Sequence, residues 1–343
     1  MNFKPITLKT IAKDLNLSIS TVSKALRGSH EISMETQRLV QEYANQHNYR
    51  PNPIAQSLKK GRSHTLGVVV SNIDNNFLSQ VINGIESVAQ DKNYSVIITQ
   101  SKESLAKEVQ HIKNLSSRSI DGFIISVSSE TSDSEIFRDL IENGFPIVFV
   151  DRTMNDIDAH KVMADNFSGA YQATKYFIQN GFKRIAHLTS SRHLSITRER
   201  LSGYEAALRE AGIAPDESLI RYCGHGGMFR DEIEKSIEEL FSLTDKPDAM
   251  LTASDRLSNS AIGILRNKGI KIPQDVALIG FTNSINADIF NPSLSAVIQP
   301  AMEMGKKATE LLVSQIESKR PVTEFENIIM ETQLILRDSS KIV

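Results

Sequence analysis

From Leu66 onward the chain alternates short apolar runs with amphipathic segments. The runs are LGVVV (66–70), YSVII (94–98), GFIIS (122–126) and PIVFV (146–150), and stretches of helical periodicity near 77–91, 104–117 and 133–143 separate them. A continuous apolar run fits a strand covered on both faces, and parallel strands need a helix-length crossover between them. The alternation therefore predicts a doubly wound parallel sheet with right-handed crossovers. A second series follows, with RIAHL (184–188), DAMLT (248–252) and VALIG (276–280) set among helical stretches near 167–180, 198–212, 230–243 and 256–269. The expected fold class is an α/β body of two such lobes. Ligands of open α/β sheets bind beyond the carboxyl ends of the strands, so two facing lobes make a cleft.

The N-terminus has a different period. In TLKTIAKDLNLSISTVSKALRG (7–28), Thr7 is placed to cap a first helix carrying Ile11, Ala12 and Leu15, and Ser18 a second carrying Val22, Ala25 and Leu26. Asn16 falls in the tight turn between them, where a left-handed residue is needed. This is a helix-turn-helix, the start of an all-α headpiece. Its candidate DNA contacts are Thr7 and Ser18 at the helix starts, then Ile19, Ser20, Thr21, Ser23, Lys24 and Arg27 on the second helix. Small hydroxyl and cationic groups suit a major-groove floor and its phosphates. A third helix from Ser33 to about 47, with Leu39, Val40, Tyr43 and Ala44 inward, closes the core. A plain helical bundle with a solvated basic face satisfies the same periodicity.

The next stretch, PNPIAQSLKKGRS (51–63), sets Asn52 as cap and Pro53 at the first position of a short helix, 54–60. Together, T-xxx-IA followed by TVS-xx-L and then YRPN-x-IA-x-SL-xx-G resembles the lactose/purine repressor family of bacterial transcription regulators, and the likeness runs through nearly the whole chain. The resemblance implies hinge helices from two subunits that fold together in the minor groove and push a leucine between base pairs. Leu58 holds that position here, with Asn52, Ile54, Ala55 and Lys59 as further DNA contacts. Gln56 departs from the family's usual Arg. The resemblance also implies a periplasmic-binding-protein-like sensor whose chain crosses between lobes near 162, 292 and 323. The expected domains are a headpiece 1–50, a hinge 51–63 and a sensor 64–343. Within the sensor, about 64–162 and 293–323 form the first lobe, and about 163–292 and 324–343 the second.

Charge supports this division. Residues 1–62 hold ten Lys/Arg against four Asp/Glu, a balance of +6, and since the whole chain carries −2 the remainder carries −8. A basic head on an acidic body suits a nucleic-acid module joined to a domain that avoids polyanions. The N-terminal MNFKPITLKT lacks an apolar core and no apolar run reaches membrane length, so a cytoplasmic protein with no membrane partner is expected. Cys223 stands alone, which excludes an intramolecular disulfide, and the eight His show no metal spacing. No GxxxxGK[ST], GxGxxG, HExxH or GxSxG motif occurs, so neither catalytic residues nor cofactors are expected. A solute-binding protein of the same fold would carry a signal peptide and no headpiece.

Candidate effector-binding residues follow from the resemblance, position by position. Phe77 and Leu78 match positions that cover the ligand, Asp151 and Arg152 a hydroxyl-binding pair, and Asp165 a cleft carboxylate. Arg200 matches an arginine that grips the ligand, Ser254 and Asp255 a strand-end Asn-Asp, and Gln299 a polar cleft residue. Thr282 replaces a family aspartate. Asp165 and Asp255 stand equally where they would cap the following helices, and Arg152 where it would form a rim salt bridge. The expected protein is a homodimeric regulator, a repressor of a palindromic operator in double-stranded DNA. Its expected effector is a sugar, sugar acid or sugar phosphate. Loss of the carboxylate at Thr282, with Arg152 and Arg200 retained, tilts that expectation toward an anion. An inserted apolar wedge offsets unstacking only when it fills the opened base step. Leu58→Ala is therefore expected to weaken specific DNA binding by about 1–3 kcal/mol, measured by fluorescence anisotropy, with little change in the stability of the free protein.

Overall fold

The computed structural model describes residues 6–50, 62–118 and 120–341. The hinge positions Asn52, Ile54, Ala55, Leu58 and Lys59 lie outside the described residues. Two compact units result, residues 1–63 and 64–343.

The first unit holds α1 (Leu8–Asp14), α2 (Ile19–Ala25) and α3 (Met34–Gln46). Thr7, Ser18 and Ser33 cap them, each side-chain oxygen accepting the backbone N–H three residues on. Asn16 adopts φ +54 in the turn. Ile11, Val22 and Val40 are fully buried and form the centre of the small core with Ala12, Ala25 and Ala44. Tyr43 packs at its edge and donates its hydroxyl to Asp14. Leu39 does not face inward as its spacing suggests. It is 48% exposed, because Val40 and Tyr43 already cover the facing surface of α1 and α2.

The second unit contains β1 (Thr65–Val70), α4 (Asn76–Asp91), β2 (Ser95–Gln100), α5 (Leu105–Ser116), β3 (Gly122–Ile125), α6 (Glu135–Glu142), β4 (Ile147–Val150) and β5 (His160–Ala164). There follow α7 (Asn166–Gln179), β6 (Ile185–Ser190), α8 (Ser195–Glu210), β7 (Ile220–Cys223), α9 (Arg230–Phe241), β8 (Ala249–Thr252), α10 (Asp255–Asn267), β9 (Ala277–Phe281) and β10 (Ser295–Ile298). The last elements are α11 (Ala301–Glu317), β11 (Asn327–Met330) and β12 (Gln333–Ile335). The strands form two six-stranded sheets, β11-β5-β4-β3-β1-β2 and β12-β10-β9-β8-β6-β7. Among the described residues only the β10–β12 pair is antiparallel.

The lobe boundaries differ from the expected ones at both later crossings. β10 pairs with β9, so residues 295–298 belong to the second lobe, and the chain leaves it only at Gln299. β11 pairs with β5, so residues 327–330 belong to the first lobe, and the last crossing falls at Glu331–Thr332 rather than near 323. β11 alternates exposed and half-exposed residues at the margin of its sheet, and β12 is no better buried, so both lack the continuous apolar signature of the central strands.

The two lobes are each clamped by a helix pair in very close contact. A Cβ on Gly84 (α4) would lie 2.1 Å from the Met302 carbonyl oxygen of α11, and one on Gly305 only 2.0 Å from that of Val81. In the second lobe Gly203 (α8) meets the Phe167 carbonyl of α7 in the same way, at 2.2 Å. No side chain fits against backbone at that spacing, so the helices must separate for anything larger than glycine. Gly84→Ala is expected to destabilise the sensor by about 1–3 kcal/mol, read as a shifted midpoint in urea unfolding.

Candidate functional site

Two surfaces carry the candidate residues. On the headpiece, α2 exposes Ile19 (50%) and Ser20, with Thr21, Ser23 and Lys24 half-buried, and Arg27 is exposed in the turn just past its C-cap. Thr7 and Ser18 are exposed, yet both already serve as caps. Arg27 Nε donates to the Ser23 carbonyl at 2.9 Å, and Lys24 pairs with Glu31, whose carboxyl that hydrogen bond holds below the usual range.

In the body, every central strand of both sheets delivers its carboxyl end to the surface where the lobes meet. Asp255 opens α10 in the second lobe, and its carboxylate accepts the backbone N–H of Phe77 from the first lobe at 3.0 Å. It also accepts the Thr282 hydroxyl and the Asn283 N–H, the latter at 2.9 Å. Asn283 exchanges side-chain and backbone bonds with Gln299 and reaches Gln80 of the first lobe at 2.9 Å. Asp74 pairs with Arg256 across the gap, and Leu194 and Ile196 of the second lobe pack into the first-lobe core. The lobes are closed on one another.

Inside lie Asp151, following β4, and Arg200, from α8, both buried. Arg200 donates Nε to Asn166 Oδ1 at 2.8 Å and Nη1 to the Ala253 carbonyl, and its guanidinium stacks 4.2 Å from the centre of the Phe281 ring. Burial pulls its pKa down to about 10 against the attraction of Asp151 and Glu199, so it stays cationic at neutral pH. Asp151 holds φ +65, an unusual conformation for a residue other than glycine and a common mark of functional positions. Burial raises its pKa, with Arg200, then Arg152, then the Gln299 amide favouring the charged form. Its Oδ1 nevertheless completes no hydrogen bond of normal geometry, and neither does Gln299 Nε2. Ser101 after β2, Ser129 after β3, Thr189 in β6 and Thr197 in α8 likewise bury unpartnered hydroxyls. Buried polar atoms without partners are costly, and six of them at or near the strand ends suit a polyhydroxylated guest.

Several of the expected ligand contacts turn out to have other partners. Arg152 is taken up within the first lobe, where it forms a two-point ion pair with Glu103 at 2.7 and 3.1 Å and donates to the Val127 carbonyl at 3.3 Å. Asp165 caps α7 through the Ser168 N–H at 2.9 Å, and Ser254 caps α10 through the Leu257 N–H at 3.2 Å. Leu78 belongs to the first-lobe core, and Phe77 does too, reaching the site by its N–H. Thr282 is bound to Asp255, whose pKa burial raises against the pull of the Thr282, Phe77 and Asn283 donors. The cleft therefore has no free pair of arginines, and the expectation of an anionic effector loses its premise.

Sequence reasoning missed Asn166, Glu199, Glu103, Glu108, Gln80 and Asn283. Asn166 orients Arg200 and is itself held by Glu199 at 2.8 Å. Glu108 is fully buried beneath β3, accepting the Ser128 N–H at 2.8 Å and the Thr131 hydroxyl at 2.5 Å. Acidic residues in amphipathic helices are ordinarily solvated, so nothing in the period of α5 marks Glu108 as buried. Cys223 is buried, its thiol pushed up to about 12 by desolvation, and inert. Among the described residues no group of three or more His, Cys, Asp or Glu is placed to hold a metal, and no helix is long and apolar enough to cross a membrane.

Helix-turn-helix residues followed in the same chain by two lobes closed over a polar cleft define a ligand-responsive DNA-binding regulator. The profile of bacterial regulatory proteins of the lacI family matches residues 7–52, and that of the periplasmic binding protein-like domain matches residues 174–340. The HTH-type transcriptional regulator RegA of Clostridium saccharobutylicum is 31% identical over 97% of this chain and 99% of its own length. The HTH-type transcriptional repressor PurR of Vibrio atlanticus is 30% identical over 91% and 92% respectively. Among solved structures, the transcriptional regulator CelR–cellobiose complex aligns with a TM-score of 0.72 at 27% identity, covering 97% of this chain and 99% of that one. The chain belongs to the lacI family of bacterial regulatory proteins and is a transcriptional regulator.

Burial lifts the Glu108 pKa to about 7, against which its bonds to Thr131 and Ser128 act. A carboxyl whose folded pKa lies above its unfolded value favours the folded state when protonated. Its contribution is thus complete below about pH 4.5 and is lost as pH rises through about 7, a loss on the order of 3 kcal/mol. Glu108→Gln still accepts the Ser128 N–H and turns its amide N–H toward the Thr131 hydroxyl oxygen, without the charge. Relative to wild type it is expected to gain stability progressively between these pH values, measured by urea unfolding across the range.

Proposed function

We propose that the protein is a cytoplasmic, homodimeric repressor that binds a palindromic operator and responds to a neutral sugar or sugar-like polyol held between its lobes. One recognition helix spans too few base pairs for specificity, and two related by a dyad read a palindrome. In this reading Ser18, Ile19, Ser20, Thr21 and Ser23 meet base edges, and Thr7, Lys24 and Arg27 meet phosphates. The hinge residues Asn52, Ile54, Ala55, Leu58 and Lys59 enter the minor groove.

The observation that carries the effector assignment is the pair of buried, unpartnered polar atoms Asp151 Oδ1 and Gln299 Nε2, with Arg200 acting on the same carboxylate. Carboxylates that accept hydroxyl protons, amides that serve either role and a guanidinium stacked on an aromatic ring suit a neutral polyol. Gln299, Asp151 and Arg200 are assigned to the ligand. Asp255, Thr282 and Phe77 hold the closed state, and Asp165, Ser254 and Leu78 support the frame. The relative solved with cellobiose favours the same ligand class. The family is one of regulatory proteins, and the proposed cleft binds without turnover.

Selection of full-length protein on a random duplex pool is expected to return a palindromic site whose affinity falls steeply with salt as counterions return to the phosphates. Thermal melting against neutral sugars, sugar acids and nucleobases is expected to single out a neutral sugar. Arg200→Gln should weaken that sugar on the order of tenfold to a hundredfold while leaving operator affinity without sugar unchanged. Stabilisation by a nucleobase alone would refute the sugar assignment.

A further inference from the structure

Glu103 lies outside every element, in the turn between β2 and α5, yet it is buried. Lys102 and Glu103 hold φ +53 and +61, two consecutive non-glycine residues in the left-handed region. Such a turn is unfavourable by itself and persists where surrounding contacts demand it. The contacts here belong to the carboxylate. It takes both Nη1 and Nη2 of Arg152, and the Ser129 N–H donates to it at 2.7 Å. The second lobe closes directly over this pair, since a Cβ on Gly226 would lie 2.9 Å from Glu103 Oε1 and 3.6 Å from Arg152 Nη2.

The consequence is electrostatic. A buried arginine beside a ligand cleft is ordinarily a two-point receptor for carboxylate or phosphate. Here the receptor geometry is occupied from within the chain, and the Glu103 carboxyl is held below its ordinary range although burial alone would raise it. The remaining cation, Arg200, faces Asp151. An anionic guest therefore finds Arg152 already taken by Glu103, and Arg200, bonded to neutral oxygens and attracted by Asp151 and Glu199, is the arginine left to it.

The geometry points to Glu103 as a specificity-determining residue: its carboxylate occupies Arg152 as an internal anion and so excludes acidic sugars from the cleft. The assignment rests on the sugar reading above, which names the ligand class, and adds the residue that rejects its charged members. Glu103→Gln leaves a side chain of the same size and uncovers the Arg152 charge.

The experiment is thermal melting and calorimetric titration of the full chain at matched ionic strength, with glucose, ribose and cellobiose as neutral probes and glucuronate and ribose 5-phosphate as anionic ones. Wild type is expected to ignore both anions. Glu103→Gln is expected to gain affinity for at least one of them on the order of tenfold or more, and Glu103→Gln combined with Arg152→Gln to lose that gain. Anion binding by wild type as tight as that of any neutral probe overturns the inference, and this arm needs no variant to fold. No anion gain in a folded Glu103→Gln also overturns it. A wild type blind to every neutral probe, beside a Glu103→Gln that gains glucuronate, sinks the sugar reading and leaves the filter standing.

Discussion

One buried carboxylate, Asp255, binds groups of both lobes in the closed state. Asp255 sits at the first turn of α10 and is almost wholly withdrawn from water, which raises its pKa, and the donors around it work against that rise. Two belong to its own lobe, the Thr282 hydroxyl and the Asn283 N–H, and one, the Phe77 N–H, belongs to the other. Opening the cleft removes the Phe77 bond and readmits water. The lobes therefore exchange this bond, the Asn283–Gln80 and Asp74–Arg256 bonds and the packing of Leu194 and Ile196 for solvation, and exchanges of polar bonds for solvation sit close to balance. A small difference in ligand affinity between open and closed forms suffices to move a balance of this kind.

One arginine of the cleft is ion-paired inside the chain and the other is held by neutral groups. Arg152 belongs to Glu103, Arg200 is held by Asn166, the Ala253 carbonyl and the Phe281 ring, and Glu108 is buried nearby, its pKa lifted to about 7. Hydroxyl-rich guests suit such a site, because they donate to carboxylates and accept from guanidinium and amide groups without bringing a charge of their own.

Most of the architecture was legible because central parallel strands are apolar on both faces and the helices between them are amphipathic. The caps Thr7, Ser18 and Ser33 and the left-handed Asn16 were legible for local reasons, since capping and turn chemistry act within a few residues. The edge strands were not. β11 and β12 are short and half-solvated, and their sheet membership is set by pairing with distant residues, which no local period encodes. In the cleft, resemblance located Asp151, Arg200 and Asp255. It left Arg152 between a ligand contact and a salt bridge and did not name the partner, Glu103, which lies in a loop remote in sequence. It missed Asn166 because its neighbour Asp165 offered the more obvious carboxylate, which the structure uses as a cap.

The three crossings between lobes are very short: Asp165 alone separates β5 from α7, Gln299 and Pro300 separate β10 from α11, and Glu331 and Thr332 separate β11 from β12. The first and third are tied together by the Asp165 N–H to the Met330 carbonyl at 2.7 Å and by the Thr332 hydroxyl to the Asp165 carbonyl at 3.4 Å. Three short straps with two laced together leave little slack for sliding, so relative motion is confined to rotation about a line through them. In mechanical terms the body is a pair of tongs with a stiff pivot. Backbone torsions at these few residues carry the stroke, and any substitution that changes their stiffness alters the work of closing without touching ligand or DNA.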